Sequence, residues 1–390
     1  MSHRHSAVCF IVPPHILKKL STNSNAAVRE SAHHSLELTA AARGKRTVIG
    51  PFAGLLAASP GAERRTVYDA KNGTTLPGTF VRSEGGKPSS DASANQAYDH
   101  AGTTYDFYNQ VFARNSIDNH GLRLDSTVHY NESFNNAFWD GTQMVYGDGD
   151  GIVFVHLTSC IEVIGHELTH GVTQFTSKLE YQGQSGALNE HFSDVMGSLV
   201  KQWTRKQTAA QADWLIGKGI LAPGVKGEAL RSMEAPGTAY NDPDTLGSDP
   251  QPAHMNNFVD TNQDNGGVHI NSGIPNKAFH SVAVTLGGNA WEKAGKIWYS
   301  AFTNKLGPAA QFADAANATY EAAGELYGEG NAEQIAVGEA WKNVGVNVSK
   351  QIIAGSAMIT VKAPASRPAV TSNESYVPLL PKPRPRRQKR

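Results

Sequence analysis

His166, Glu167 and His170 stand in the pattern His-Glu-x-x-His. On a helix, side chains four residues apart sit one turn apart on the same face. Two imidazoles so placed can reach one zinc ion, while the glutamate, one residue along, points beside the metal rather than at it. There it can take a proton from water that the zinc acidifies. The same five residues also fit two surface histidines on an amphipathic helix, so a further ligand is needed. A catalytic zinc takes three protein ligands and keeps a fourth position open. Glu190, on the next helical stretch, would be the third ligand. Asp194, four residues later on the same face, can accept the outer N–H of a ligand histidine and fix its tautomer. Asn189 is read as a second supporting residue.

A helix must carry the first motif. Ile161, Ile164, Leu168, Val172 and Phe175 recur at helical spacing. Ser159 with Glu162 three residues on predicts a capping box at its start. A second helix is expected over residues 187–203. Ahead of these, strand-like runs at 66–68, 79–82, 124–129 and 143–146 are separated by Gly, Asn and Asp turns, with a helix over 92–113. Short helices are expected at 15–20 and 26–42. After a loop-rich stretch at 222–268, helices are expected at 275–286, 291–302, 308–326 and 332–344.

The chain has 390 residues, 39% of them hydrophobic, enough for two packed domains and an extension. Two cysteines, Cys9 and Cys160, make no disulfide framework. The formal net charge is zero, but the last nine residues carry six cations, leaving −6 on the rest. That mildly acidic body gives no reason to expect a nucleic-acid surface. The apolar stretch 7–12 runs into Pro13-Pro14 and is too short for a secretory signal. No run approaches the roughly 18 apolar residues of a membrane span. The expectation is a soluble monomer.

Taken together, the motifs resemble those of the thermolysin family of zinc metallopeptidases. The resemblance covers about residues 66–346. It rests on Asn135–Trp139, Gly165–His170, Tyr181, Asn189–Asp194, Leu230–Met233 and Asn265–Gly273. The short N-terminal segment with Pro13-Pro14-His15-Ile16-Leu17 resembles the protealysin-like branch. The resemblance implies an α+β fold of two lobes, β-rich first and mainly helical second, with the zinc helix and the cleft between them. It implies a neutral endopeptidase with His166, His170 and Glu190 on zinc and Glu167 as general base. His269 and Tyr181 would donate to the developing oxyanion, and Asp264 would orient His269. Asn136 and Ala137 would grip the substrate backbone and leaving amine, and Arg231 the carbonyl just after the scissile bond. Phe154, Leu157, Val163, Ile216 and Leu230 would wall an apolar pocket, so cleavage is expected before Leu, Phe, Ile or Val.

Expected domains are a pro-segment at 1–65, lobes at 66–205 and 206–348, and a Pro/Arg-rich tail at 349–390. The pro-segment would inhibit its own enzyme and be cut off between about Ala62 and Asn72, near Ala70. Partners would be protein and peptide substrates, and the protein would be exported without a Sec signal from a cytoplasmic precursor. The family's double calcium site would fall on Glu162, Lys201, Asp213, Leu215 and Lys218. Lysine offers no acceptor to calcium, so an ion pair of Lys201 with Glu162 or Asp213 is expected there. The loop Asp242–Asp249 is a candidate for one weaker calcium, with a solvated loop as its plainer reading. Cys9 could occupy the zinc's open position, but packing as a small apolar residue is the expectation adopted. The alternative function is an inactive homologue that binds peptides in the cleft. A purely structural zinc fits poorly, because such sites usually have four protein ligands.

Overall fold

The computed structural model describes residues 8–49 and 63–349. The expected tail beyond residue 349 lies outside the described residues. The chain opens with strand β1 (Cys9–Phe10), helix α1 (Pro14–Leu20) and helix α2 (Ala26–Ile49). Pro13-Pro14 starts α1, where a missing N–H costs nothing.

The first lobe follows. Strands β2 (Arg65–Asp69) and β3 (Thr79–Ser83) precede helix α3 (Ala92–Phe112). Strands β4 (Leu124–Val128), β5 (Ala137–Trp139) and β6 (Met144–Tyr146) come next. These strands form one sheet in the order β1-β5-β6-β4-β2-β3. The N-terminal segment thus adds an antiparallel edge strand beside β5, with Cys9 opposite Trp139 and Phe10 opposite Phe138. Asp91 caps α3 by accepting from the amides of Ser93 and Ala94.

Helices α4 (Ile161–Phe175) and α5 (Gly183–Arg205) carry the two metal motifs. They pack closely because Gly165 and Gly197 meet. A Cβ on Gly197 would stand 2.4 Å from the Glu162 carbonyl oxygen. No side chain fits there, so the glycine sets how near the helices come. The expected capping box is not made. Cys160 is the N-cap without a side-chain bond, and Ser159 donates to the His156 carbonyl instead. The Glu162 carboxylate is drawn to buried Lys201, 3.3 Å away.

After α5 come hairpin β7 (Leu215–Ile216) and β8 (Arg231–Ser232), then hairpin β9 (Asn241–Asp242) and β10 (Gly247–Ser248). Helices α6 (Asp264–Asn271), α7 (Gly273–Leu286), α8 (Ala294–Asn304), α9 (Phe312–Tyr327) and α10 (Ala332–Asn343) complete the second lobe. The α+β, two-lobed architecture is the expected one. Among the described residues, no helix is long and apolar enough to cross a membrane.

Candidate metal centre and cleft

α4 turns His166 and His170 to one side, and their Nε2 atoms lie 3.0 Å apart. Their other nitrogens are committed. His166 Nδ1 donates to Asp194 Oδ1 at 2.9 Å, and His170 Nδ1 to Asn189 Oδ1 at 2.9 Å. The Asn189 amide is itself oriented by donating to the Leu179 carbonyl. The two Nε2 atoms therefore converge in a fully buried site, where burial opposes the charged form of His166 but Asp194 and Glu190 raise its pKa to about 9. From α5, Glu190 brings Oε2 to 3.5 Å from His166 Nε2 and Oε1 to 3.4 Å from His170 Nε2. Glu190 Oε2 is buried with no hydrogen-bond partner. A zinc tetrahedron with bonds of about 2.0–2.1 Å has edges of about 3.3–3.5 Å. The donor set, its spacing and the orphaned oxygen fit zinc.

Electrostatics agree with this reading. Burial opposes the charged form of Glu190, yet His269, His166 and His170 outweigh it and hold the carboxyl well below its usual range. Burial pushes Glu167 up to about 8, with His166 opposing and Glu190 adding to the rise. Glu167 Oε2 accepts from the Trp139 amide of β5 at 3.1 Å, while Oε1 is buried with no hydrogen-bond partner. Glu167 is thus held by strand β5.

The turn that carries His269 is unusual. Asp264, Asn265, Gly266 and Gly267 are all left-handed, with φ of 51°, 51°, 82° and 74°. Asp, Asn and Gly are the residues that enter this region at least cost. The turn lets Asp264 hold His269 twice, through the backbone N–H at 2.8 Å and Nδ1 at 2.7 Å. Burial works against protonated His269, but Asp264 and Glu190 outweigh it and raise its pKa. The Tyr181 hydroxyl meets His269 Nε2 at 3.2 Å and donates a short hydrogen bond to Glu190 Oε1. Burial, with Glu190 next, keeps that hydroxyl protonated far above its normal range.

Arg231, on β8, forks onto Asp194, with Nε to Oδ2 at 2.9 Å and Nη2 to Oδ1 at 2.8 Å. Asp194 also accepts from Asn276 on α7 at 2.9 Å. Phe154, Leu157, Val163, Ile216 and Leu230 are all buried in one apolar cluster. The sequence did not signal Asn276, because nothing local ties α7 to α5. The sequence suggested an inhibitory N-terminal segment but not the register in which residues 9–12 pair with the site. There the Ile11 amide donates to the Ala137 carbonyl, and Arg231 Nη1 donates to the Ile11 carbonyl at 3.1 Å. The Val12 amide donates to Asn136 Oδ1 at 2.9 Å, and His269 Nε2 to the Phe10 carbonyl at 2.9 Å.

Comparison with known proteins agrees. Residues 59–174 match the family model described as thermolysin metallopeptidase, catalytic domain, and residues 177–346 the model for its alpha-helical domain. The chain belongs to the thermolysin metallopeptidase family. It is a zinc-dependent metalloendopeptidase. An extracellular metalloprotease of Pectobacterium carotovorum subsp. carotovorum is 45% identical over 348 residues, covering 89% of this chain and 99% of that protein. Protease PrtS of Photorhabdus sp. (strain Az29) is 51% identical, covering 74% of this chain and 77% of that one. Among solved structures, the precursor of protealysin, a metalloproteinase from Serratia proteamaculans, aligns with a TM-score of 0.80 and 47% identity. That alignment covers 87% of this chain and 99% of the precursor.

The expected ion pair at Lys201 is present. Its ammonium lies 2.8 Å from Asp213, 3.3 Å from Glu162 and 2.8 Å from the Leu215 carbonyl, beside α4 and α5. The loop Asp242–Asp249 is exposed at Pro243, Asp244 and Ser248, but its two end aspartates are not free to bind an ion. Asp242 and Asp249 are buried, and Asp249 accepts from the amides of Gly237, Ala239 and Gln251. Those oxygens are spent on the backbone.

Proposed function

We propose that His166, His170 and Glu190 hold the zinc and that Glu167 is the general base. When bound, zinc polarises the scissile carbonyl and acidifies water. Glu167 takes the proton from the attacking water and passes it to the leaving amine. His269 and Tyr181 donate to the oxygen on which charge develops, and Asp264 keeps His269 protonated and aimed. The backbone of the substrate lies along β5, gripped by Asn136, Ala137 and Arg231. The apolar walls at Phe154, Leu157, Val163, Ile216 and Leu230 favour a bulky apolar residue on the amine side of the cut.

The observation that carries this reading is the convergence of two imidazole Nε2 atoms, 3.0 Å apart, on a buried Glu190 oxygen that has no hydrogen-bond partner. Residues 1–65 act as an inhibitory pro-segment, a reading supported by strand β1 in the cleft and by the likeness to a protealysin precursor. The cut falls at the head of β2 rather than near Ala70. Arg65–Asp69 pair with both β3 and β4, so a cut at Ala70 would strip a strand from the sheet. Export from the cell is supported by the extracellular relative. A monomer acting on proteins and peptides completes the proposal.

Intact mass and N-terminal sequencing of wild type beside Glu167→Gln, made in one host, test it. Wild type is expected to lose its N-terminal segment while the variant stays full length and zinc-loaded. Both remaining intact with zinc bound would defeat self-processing. Peptide cleavage by the trimmed enzyme is then expected before Leu, Phe, Ile or Val.

A further inference from the structure

The N-terminal strand lies in the cleft as a substrate would. On the roles proposed above, Arg231 takes the carbonyl just after the scissile bond and Ala137 the leaving amine. Both bind Ile11, so the Phe10–Ile11 bond occupies the cutting position. Ile11 is fully buried in the cluster that includes the pocket walls, the kind of side chain that pocket should prefer. His269 donates to the Phe10 carbonyl, the oxygen it would polarise during cleavage. A strand in this register should be cut at once, so something must prevent it.

Cys9 is the candidate. It is buried on β1 opposite Trp139, next to Tyr181 and Val268, and is in no disulfide. Its Sγ lies within 4.8 Å of a His170 ring nitrogen and a Glu190 carboxylate oxygen. In the same site, two buried carboxylate oxygens, Glu190 Oε2 and, beside His166 and His170, Glu167 Oε1, have no hydrogen-bond partner. Catalytic zinc leaves one position open, and thiolate is among its preferred ligands. Cys9 packs as a small apolar residue against Tyr181 and Val268, the expectation drawn from sequence, and the same placement sets its thiol against the proposed metal ligands.

We infer that Cys9 is the fourth zinc ligand of the precursor and protects the Phe10–Ile11 bond that it precedes. The Sγ–H bond breaks, its proton leaves to solvent, and the sulfur lone pair forms the bond to zinc. The solvent molecule that would attack the peptide is thereby excluded. The segment then inhibits by binding in the productive direction with the nucleophile missing.

This rests on the proposed zinc site, and the test separates the two. The full-length Glu167→Gln precursor is loaded with zinc, its metal content measured, and its zinc X-ray absorption recorded. One sulfur at about 2.3 Å is expected, and it should vanish in Cys9→Ser/Glu167→Gln. Cobalt loading should show a thiolate-to-metal absorption band that the same variant lacks. In the active background, Cys9→Ser should yield a fragment beginning at Ile11, absent from wild type. Zinc bound through nitrogen and oxygen alone overturns the Cys9 inference and leaves the metal site standing. Absence of bound zinc overturns both. A Cys9→Ser precursor that stays uncut at Phe10–Ile11 while processing elsewhere as wild type also overturns the inference.

Discussion

His269 meets the Tyr181 hydroxyl at 3.2 Å, and its other nitrogen is tied to Asp264 at 2.7 Å. His269 Nε2 also lies 3.5 Å from Glu190 Oε2, so metal content must be read beside activity to separate a role in the reaction from one in the metal site. In the trimmed enzyme, His269→Ala is expected to lower kcat by about 10²–10³-fold, the usual cost of one oxyanion donor. Zinc content should stay at one per chain. Steady-state kinetics with metal analysis checks this, and a loss of zinc in step with activity would mean that His269 supports the site rather than the reaction. Glu167, pushed up by burial and steadied by the Trp139 amide, depends on neighbours far away in sequence for its poise.

Two pins between elements carry measurable stability. His129, just after β4, donates to Asp148 at 2.7 Å and to Asp91, the cap of α3, at 2.7 Å. The Asp148 hydrogen bond, with Asp91 adding and burial opposing, raises its pKa from 6.5 to about 9. A raised histidine stabilises fully below its unfolded value and loses that contribution as pH climbs through the folded one. Wild type should therefore lose about 1–2 kcal/mol relative to His129→Gln between pH 6.5 and 9, allowing for partial exposure. Urea unfolding across that range reads it, and parallel pH curves would refute it. The second pin is Lys201, buried between Glu162 and Asp213. Lys201→Met strands the buried Glu162 charge and should cost about 3–5 kcal/mol. Calcium chelation should leave the wild-type melting temperature unchanged, since an ammonium fills the space between these carboxylates. A clear drop on calcium chelation would show that another site matters.

At the scale of the molecule, the cleft is closed from three sides. α4 and α5 bring the proposed metal ligands, α6 brings His269, and β1 seals the edge of β5. Three acceptors are forced together here, so folding and metal binding are coupled. Stripping zinc from the Glu167→Gln precursor should lower its stability by about 2.7 kcal/mol when the free ion had been held at a hundredfold excess over Kd. Differential scanning calorimetry with and without chelator measures it. An unchanged melting curve would argue that the three side chains share no ion.

How much of this was legible beforehand depended on range. The His-Glu-x-x-His and Asn-Glu-x-x-x-Asp spacings fixed helix faces, because helical geometry is local, and so Asp194 and Asn189 stand behind the histidines as expected. The Asp-Asn-Gly-Gly run likewise carries its left-handed turn in its residue types. The capping box at Ser159 failed because a buried Lys201, thirty-nine residues from Glu162, won its carboxylate. The short strands β1, β5, β7, β8, β9 and β10 were missed, since two or three residues have no period to read. Sequence alone thus determined which residues can do chemistry and which helix faces carry them. Only the tertiary structure decided that Cys9–Val12 lie in the cleft, that Asn276 steadies Asp194 and that Arg231 meets Ile11. Those contacts span eighty residues or more, and local pattern cannot encode which surfaces the folded chain brings together.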